Sequence, residues 1–441
     1  RRCAGSGRRR MTAGRSSPTT TERETIRALA SRWAEIAALP VMAERKRAWR
    51  ALHDLRPERP MILFEVGTVD QYVRADELRC EHPVLRAVEA TMLEHIHHFD
   101  EVGDDIVFEP YFRLGWDIHD TGWGVDVVQI PGPTAADGSS IGYTFNFPIK
   151  TPADVELLQP REFSVDRAGT VAKRDLLEDV FGDILPVRVG NYDHFMTDEG
   201  AESWAGNYFI GLTWQIYRFI GNDGLLTWVY ESPESIHALM EYMTGDRLRQ
   251  FGFLEDEGLI VPNTDNMLAG PRAYGYCSDL PAPAAAPGRI SDLWCWAESQ
   301  ESTPISPAMF AEFVLPYLKR VTDRFGLVYY GCCEPQTDRL ELIIEAMPNL
   351  RSVSVTPWAD FERTAEMLGD RYVFSRKPDP VPISGAAPHW DRAEDDLRRT
   401  FEVARANECA VELLFRDVYD VAGDRTRLAR WVSLARSVFG A

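Results

Sequence analysis

Residues 326–335 read GLVYYGCCEP: an apolar run, a glycine, two adjacent cysteines, a glutamate and a proline. Thiolates are nucleophiles and soft metal ligands, and a carboxylate is a hard oxygen ligand. Cys332, Cys333 and Glu334 therefore offer half a metal site, which Glu298 and Glu301 of the segment ESQES would complete. Zinc is one metal that such thiolates and carboxylates could hold with one open position. The plainer reading is that these cysteines behave as small buried hydrophobes and that both glutamates cap a helix or pair with cations. His194, in NYDHF, is a candidate ligand or general acid/base, and Asp417 and Glu298 join it as candidate proton-transfer groups. Arg376 and Lys377 are adjacent cations suited to a substrate carboxylate or phosphate, or else to a structural ion pair with Asp379 or Asp417. Tyr330, Tyr192 and Trp358, with Trp294 and Trp296, are candidates to wall a pocket. Glu65 and Glu109 complete the candidate substrate contacts. His95, His97 and His98 lack the spacing of one ligating helix face and read as helix surface.

These residues share a position in the pattern: each follows an apolar, strand-like run. The runs fall at about 61–66, 105–109, 185–189, 291–296, 327–330, 351–355, 372–374 and 410–415, and most are followed by helical text. Eight such units predict an α/β chain folded as a (β/α)8 TIM barrel, with the chemistry at the C-terminal ends of the strands. An N-terminal helical extension over 25–55, split at Pro40, precedes the barrel. The stretch 258–288 is irregular and rich in Pro, Gly and Asn, which predicts a lid-like insertion near the mouth. Residues 1–22 are basic and rich in Ser and Thr, without an apolar signal segment, and read as a disordered tail in which Met11 is a candidate start. The remainder, 23–441, reads as one barrel domain.

The 441 residues carry 48 Lys and Arg against 68 Asp and Glu, a net charge of −20. That acidity opposes non-specific binding to nucleic acid or to an anionic membrane. No apolar run is long enough to span a bilayer. Seven scattered cysteines suit free thiols in the cytoplasm better than a disulfide framework.

With the later strands placed, the chain resembles the uroporphyrinogen decarboxylase-like superfamily, over most of its length after about Arg59. In the methyltransferase branch of that superfamily the fifth strand ends in His-x-Cys-Gly, and Tyr330-Gly331-Cys332-Cys333 stands there. Arg376-Lys377-Pro378-Asp379-Pro380 stands where the family has Gly-Asn-x-Asp-Pro. The segments ESQE, YGCCEP, TPW and FSRKP look like the signature of a little-characterised bacterial subgroup. The resemblance implies a methyltransferase, zinc, and a corrinoid supplied by a separate protein, since no Asp-x-His-x-x-Gly motif is present. The departures are specific. Phe64-Glu65-Val66-Gly67-Thr68 replaces the Arg-rich segment that holds a tetrapyrrole in true decarboxylases, and Tyr330 replaces the ligating histidine. Cys409 begins the last strand instead of ending it, so the family's second cysteine ligand has no counterpart at the mouth.

Three functions follow as expectations. One is a methyltransferase or demethylase moving a methyl group between a small substrate and a thiol or corrinoid acceptor. Another is a decarboxylase or lyase acting on a small carboxylate, with Arg376 and Lys377 as anchor and Asp417 or His194 as proton donor. The third is a non-catalytic subunit of a methyl-transfer complex. A homodimer is a candidate assembly.

Overall fold

The computed structural model describes residues 17–133, 142–190, 208–283 and 288–440. Two helices open it, Thr20–Ala37 and Pro40–His53. Thr19 and Glu22 form a capping box that starts the first. Pro40 sits in the first turn of the second, where its missing N–H costs nothing, so the expected split occurs there. The first helix begins inside the segment read as tail, and residues 1–16 lie outside the described residues.

Six parallel strands make the central sheet. Their order is Met61–Phe64, Ala410–Phe415, Val373–Arg376, Leu350–Val355, Leu327–Tyr330 and Trp294–Ala297. Helical segments separate successive strands from Trp294 onward, as parallel pairing requires. Strand alternation divides the side chains between two cores. Cys295, Ala297, Val328 and Tyr330 pack with the outer helices. Trp294, Trp296, Leu327 and Tyr329 pack on the opposite, interior face with Met61 and Leu63.

Among the described residues the six parallel strands do not close into an eight-stranded barrel. The expected strand at 105–109 is not one; the strand in this region is Phe112–Gly115, which pairs in parallel with Val187–Gly190. Residues 104–105 still lie beside Met61–Phe64, but carboxylates take over the ladder. Ile62 N–H donates to Asp105 Oδ2 at 2.9 Å, Phe64 N–H donates to Asp104 Oδ2 at 2.7 Å, and Asp105 N–H donates to the Ile62 carbonyl at 2.8 Å. A side chain that satisfies a buried backbone N–H removes the need for a neighbouring strand. On the other edge, Tyr208 and Ile210 exchange backbone hydrogen bonds with Trp296.

The stretch expected as a lid is, in its described part, a core element. Ala269, Ala273, Tyr274, Tyr276 and Cys277 are buried in the interior cluster with Trp294, Trp296 and Tyr329. Trp294 Nε1–H donates to the Gly275 carbonyl at 3.0 Å, and Asn263 brackets the Trp294 backbone through both its N–H and its carbonyl. Gly270 lies so close to Tyr329 that a Cβ would stand 2.3 Å from the ring. Arg272 of this segment, with φ +67°, bonds Glu65 beyond the end of the Met61–Phe64 strand. No described helix is long and apolar enough to cross a membrane.

Candidate functional site

The site is built on the turn that follows the Leu327–Tyr330 strand. Gly331 has φ +100°, and a Cβ there would stand 1.6 Å from Gln336 Nε2, so only glycine lets the chain bend at this point. Three hydrogen bonds then fix the cysteines. Cys332 N–H donates to Glu334 Oε2 at 2.8 Å, Cys333 N–H donates to Gln300 Oε1 at 3.2 Å, and the Cys332 carbonyl accepts from Ser354 Oγ at 2.7 Å. The two sulfurs lie 3.6 Å apart.

Cations surround them. Arg416, just past the last strand, donates from Nη1 to Cys332 Sγ at 3.5 Å and from Nε to Glu65 Oε2 at 3.0 Å. Glu65 also accepts from Arg272 Nε at 2.8 Å, so one carboxylate orients two guanidinium groups. Burial raises the Glu65 pKa, but Arg272 and Arg416 outweigh it and bring it from 4.5 to about 2. Lys377 is buried, donates to Tyr329 OH at 2.9 Å and bonds Ser354 Oγ. Burial, with Arg416 nearby, lowers its pKa to about 8.

The two thiols differ. The hydrogen bond from Cys332 pulls the Cys333 pKa below the ordinary thiol value; burial opposes this, and Arg416 and Lys377 add to it. The same hydrogen bond, with burial, pushes Cys332 well up. The contact between the two sulfurs thus separates them in direction, Cys333 downward and Cys332 upward. Asp417 Oδ2 stands 3.9 Å from Cys333 Sγ and works against the thiolate. Asp417 holds φ +62°, a conformation that costs a non-glycine residue of order 1–3 kcal/mol.

A shallow, open depression lies over this constellation, lined by Cys333, Trp358, Lys377, Arg416 and Asp417 together with Thr356 and prolines 357, 378 and 380. Trp358 is 68% exposed at its rim. A reactive thiol, two cations, a carboxylate and an apolar wall thus share one small volume.

Other candidates fall elsewhere. Tyr330 points to the helix side, where its OH bonds Ser299 Oγ at 2.7 Å; Tyr329, one residue earlier, is the inward tyrosine. Arg376 is likewise turned outward, paired with Asp396 at 2.7 Å beneath Phe361. Glu109 lies away from the cleft lining, bound to Lys46 Nζ at 2.6 Å and to Tyr276 OH at 2.5 Å. His194 and Tyr192 lie outside the described residues.

Glu298 and Glu301 sit behind the cysteine turn. Gln300 N–H donates to Glu298 Oε2 at 2.7 Å, and Thr213 Oγ1 donates to Glu301 Oε2 at 2.8 Å. Burial, then Glu301 and Glu334, pushes Glu298 well above the carboxylate range; burial brings Glu301 to about 7. Neither lines the cleft.

Among the described residues, no group of three or more His, Cys, Asp or Glu side chains is placed to hold a metal ion. The donors that face Cys332 and Cys333 include Arg416, whose positive charge repels a second cation. The described residues thus do not fit the expected zinc. Arg416, Tyr329 and Arg272 were absent from the sequence-derived candidates. Period-two alternation from the buried strand ends is the signal that picks Tyr329 over Tyr330 and Lys377 over Arg376.

No protein-family model matches the chain, and no curated protein matches it. Among solved structures it is similar to a methyltransferase from Methanosarcina mazei, at 12% identity and a TM-score of 0.47, over 90% of this chain and 99% of that one. A likeness that weak assigns no activity to this chain.

Proposed function

We propose that this chain is a transferase in which the Cys333 thiolate takes a methyl group from a small anionic substrate. The observation that carries the reading is the Cys332–Cys333 pair, 3.6 Å apart, with Cys333 lining a cleft between Lys377 and Arg416. The substrate's anionic group sits between those cations, and its methyl carbon faces Cys333 Sγ. The S–CH3 bond forms as the bond from methyl to its leaving heteroatom breaks. The electron pair goes to the heteroatom, and the Lys377 ammonium supplies its proton. Trp358 and the flanking prolines give the methyl group an apolar wall to lie against. A small thiol, or a corrinoid on a separate protein, is the acceptor for the return step in this reading.

Methyl donors carrying a carboxylate or phosphate test it. Each is incubated with the protein, and the tryptic peptide 325–339 is weighed. A gain of one methylene unit, lost in Cys333→Ser, is the expected result. Ready alkylation of Cys333 by iodoacetamide with no gain from any such donor rejects methyl transfer.

The same Lys377 and Arg416 anchor also favours a second reading, a lyase on a small carboxylate. Release of carbon dioxide that persists in Cys333→Ser would select it.

A further inference from the structure

Two reactive groups that touch can act on each other as well as on a substrate. Cys332 Sγ and Cys333 Sγ lie 3.6 Å apart on adjacent residues, and the cleft opens directly onto Cys333. Cys80, Cys277 and Cys295 are buried and Cys409 lies on the far end of its strand, so among the described residues no other cysteine is placed to compete. We propose that Cys332 and Cys333 form a reversible vicinal disulfide that switches the cleft off under oxidising conditions, an inference that shares with the proposed function the reading of Cys333 as the reactive thiol.

The oxidant is a small peroxide that fits the cleft. The Cys333 thiolate attacks one peroxide oxygen; the S–O bond forms, the O–O bond breaks, and hydroxide leaves. Sulfur loses two electrons and the peroxide gains them. Cys332 sulfur then attacks Cys333 sulfur; the S–S bond forms, the S–O bond breaks, and the departing oxygen takes the Cys332 proton as water. The sum is two thiols and one hydrogen peroxide giving one disulfide and two waters. A small dithiol reverses it by exchange.

Geometry decides that this bond is a switch and not a staple. Adjacent Cα atoms are about 3.8 Å apart across a trans peptide, whereas disulfides usually span about 4.4–6.8 Å between Cα atoms. The linked pair is therefore strained, and strained disulfides are the readily reduced, regulatory ones. The strain has somewhere to go. The Cys332 carbonyl is held by Ser354 Oγ, and Ser354 also bonds Lys377. Twisting the 332–333 peptide pulls on that serine, so oxidation removes the thiolate and disturbs the cation next to it.

The test uses the full reduced chain and hydrogen peroxide. Thiols are counted with a chromogenic disulfide before and after treatment, and peptide 325–339 is weighed after blocking of free thiols. The expected result is loss of two thiols per chain, a peptide lighter by two hydrogens that carries no blocking group, and full recovery with dithiothreitol. Phenylarsine oxide, which bridges neighbouring thiols, protects the reduced pair. In Cys332→Ser the peptide instead gains oxygen at Cys333. Wild-type peptide that keeps both blocking groups, or gains only oxygen, overturns the inference. Because the readout is a mass and not turnover, it separates from the function above: methyl transfer without a disulfide overturns the switch alone, and a disulfide without methyl transfer overturns the transferase reading alone.

Discussion

At the scale of single residues, Arg416 and Lys377 set the character of Cys333. Both cations favour the thiolate. Arg416→Gln removes one of them and raises the Cys333 pKa; the pH midpoint of iodoacetamide alkylation is expected to move up by about one unit, the usual size of one nearby charge. An unchanged midpoint would show that the hydrogen bond from Cys332 suffices. Glu65 gives a second handle. Its folded pKa of about 2 lies below the ordinary 4.5, so its stabilisation is fully present above pH 4.5 and is lost as pH falls toward 2. At about 1.4 kcal/mol per unit, the contribution is of order 3 kcal/mol. Glu65→Gln should therefore lower the urea midpoint at pH 7 and flatten the acid limb of the stability profile, whereas unchanged acid unfolding would deny Glu65 that role. The residue types at the mouth were visible in the sequence, but their pairing was not. Arg376 and Lys377 are neighbours in the chain and opposites in space, and the partner Lys377 gains at the cleft, Arg416, comes from the next strand end.

At the scale of elements, the turn after Leu327–Tyr330 and the segment carrying Gly270 do the positioning. Gly331→Ala combines an unfavourable φ with a Cβ placed on Gln336 and 2.9 Å from Ser354 Cβ. A cost of about 2 kcal/mol or more is expected, together with loss of selective Cys333 alkylation. Calorimetry and alkylation measured together would reveal a turn that simply adapts. The edge beside Met61–Phe64 makes a different demand. Asp105 accepts from Ile62 N–H, Arg59 and Arg436, so Asp105→Ala leaves a backbone donor and two arginines without it. A loss of about 3 kcal/mol is expected in urea unfolding; a loss below about 1 kcal/mol would mean that an ordinary strand contact takes over. Here the sequence misleads for a physical reason. DDIVFEP has the apolar content of a strand, yet its aspartates bond the neighbouring backbone through their side chains.

At the scale of the whole molecule, charge and layering act together. The chain carries a surplus of 20 negative charges, whereas its cleft is lined by Lys377 and Arg416. Polyanions are repelled by the surface before they reach those cations, while a small anion can enter. The chain should pass through a heparin column at low salt and still bind a small carboxylate or phosphate; retention on heparin would show that the mouth's field dominates.

The sequence by itself located the six strands of the parallel sheet and the helices between the later ones, because apolar runs and helical periodicity are local signals; it did not locate Phe112–Gly115. It also determined that thiols, carboxylates and cations collect at strand ends, because each follows its own run. Only the tertiary structure decided which of two neighbours faces the cleft, that Glu65 holds two arginines from distant segments, and that the 258–288 stretch fills the interior in its described part. Those choices depend on the phase of each strand and on contacts hundreds of residues apart, and no local pattern encodes them. The cysteine pair shows both sides: its adjacency is written in the chain, but the contact between its sulfurs and the presence of Arg416 and Lys377 beside them come only with folding.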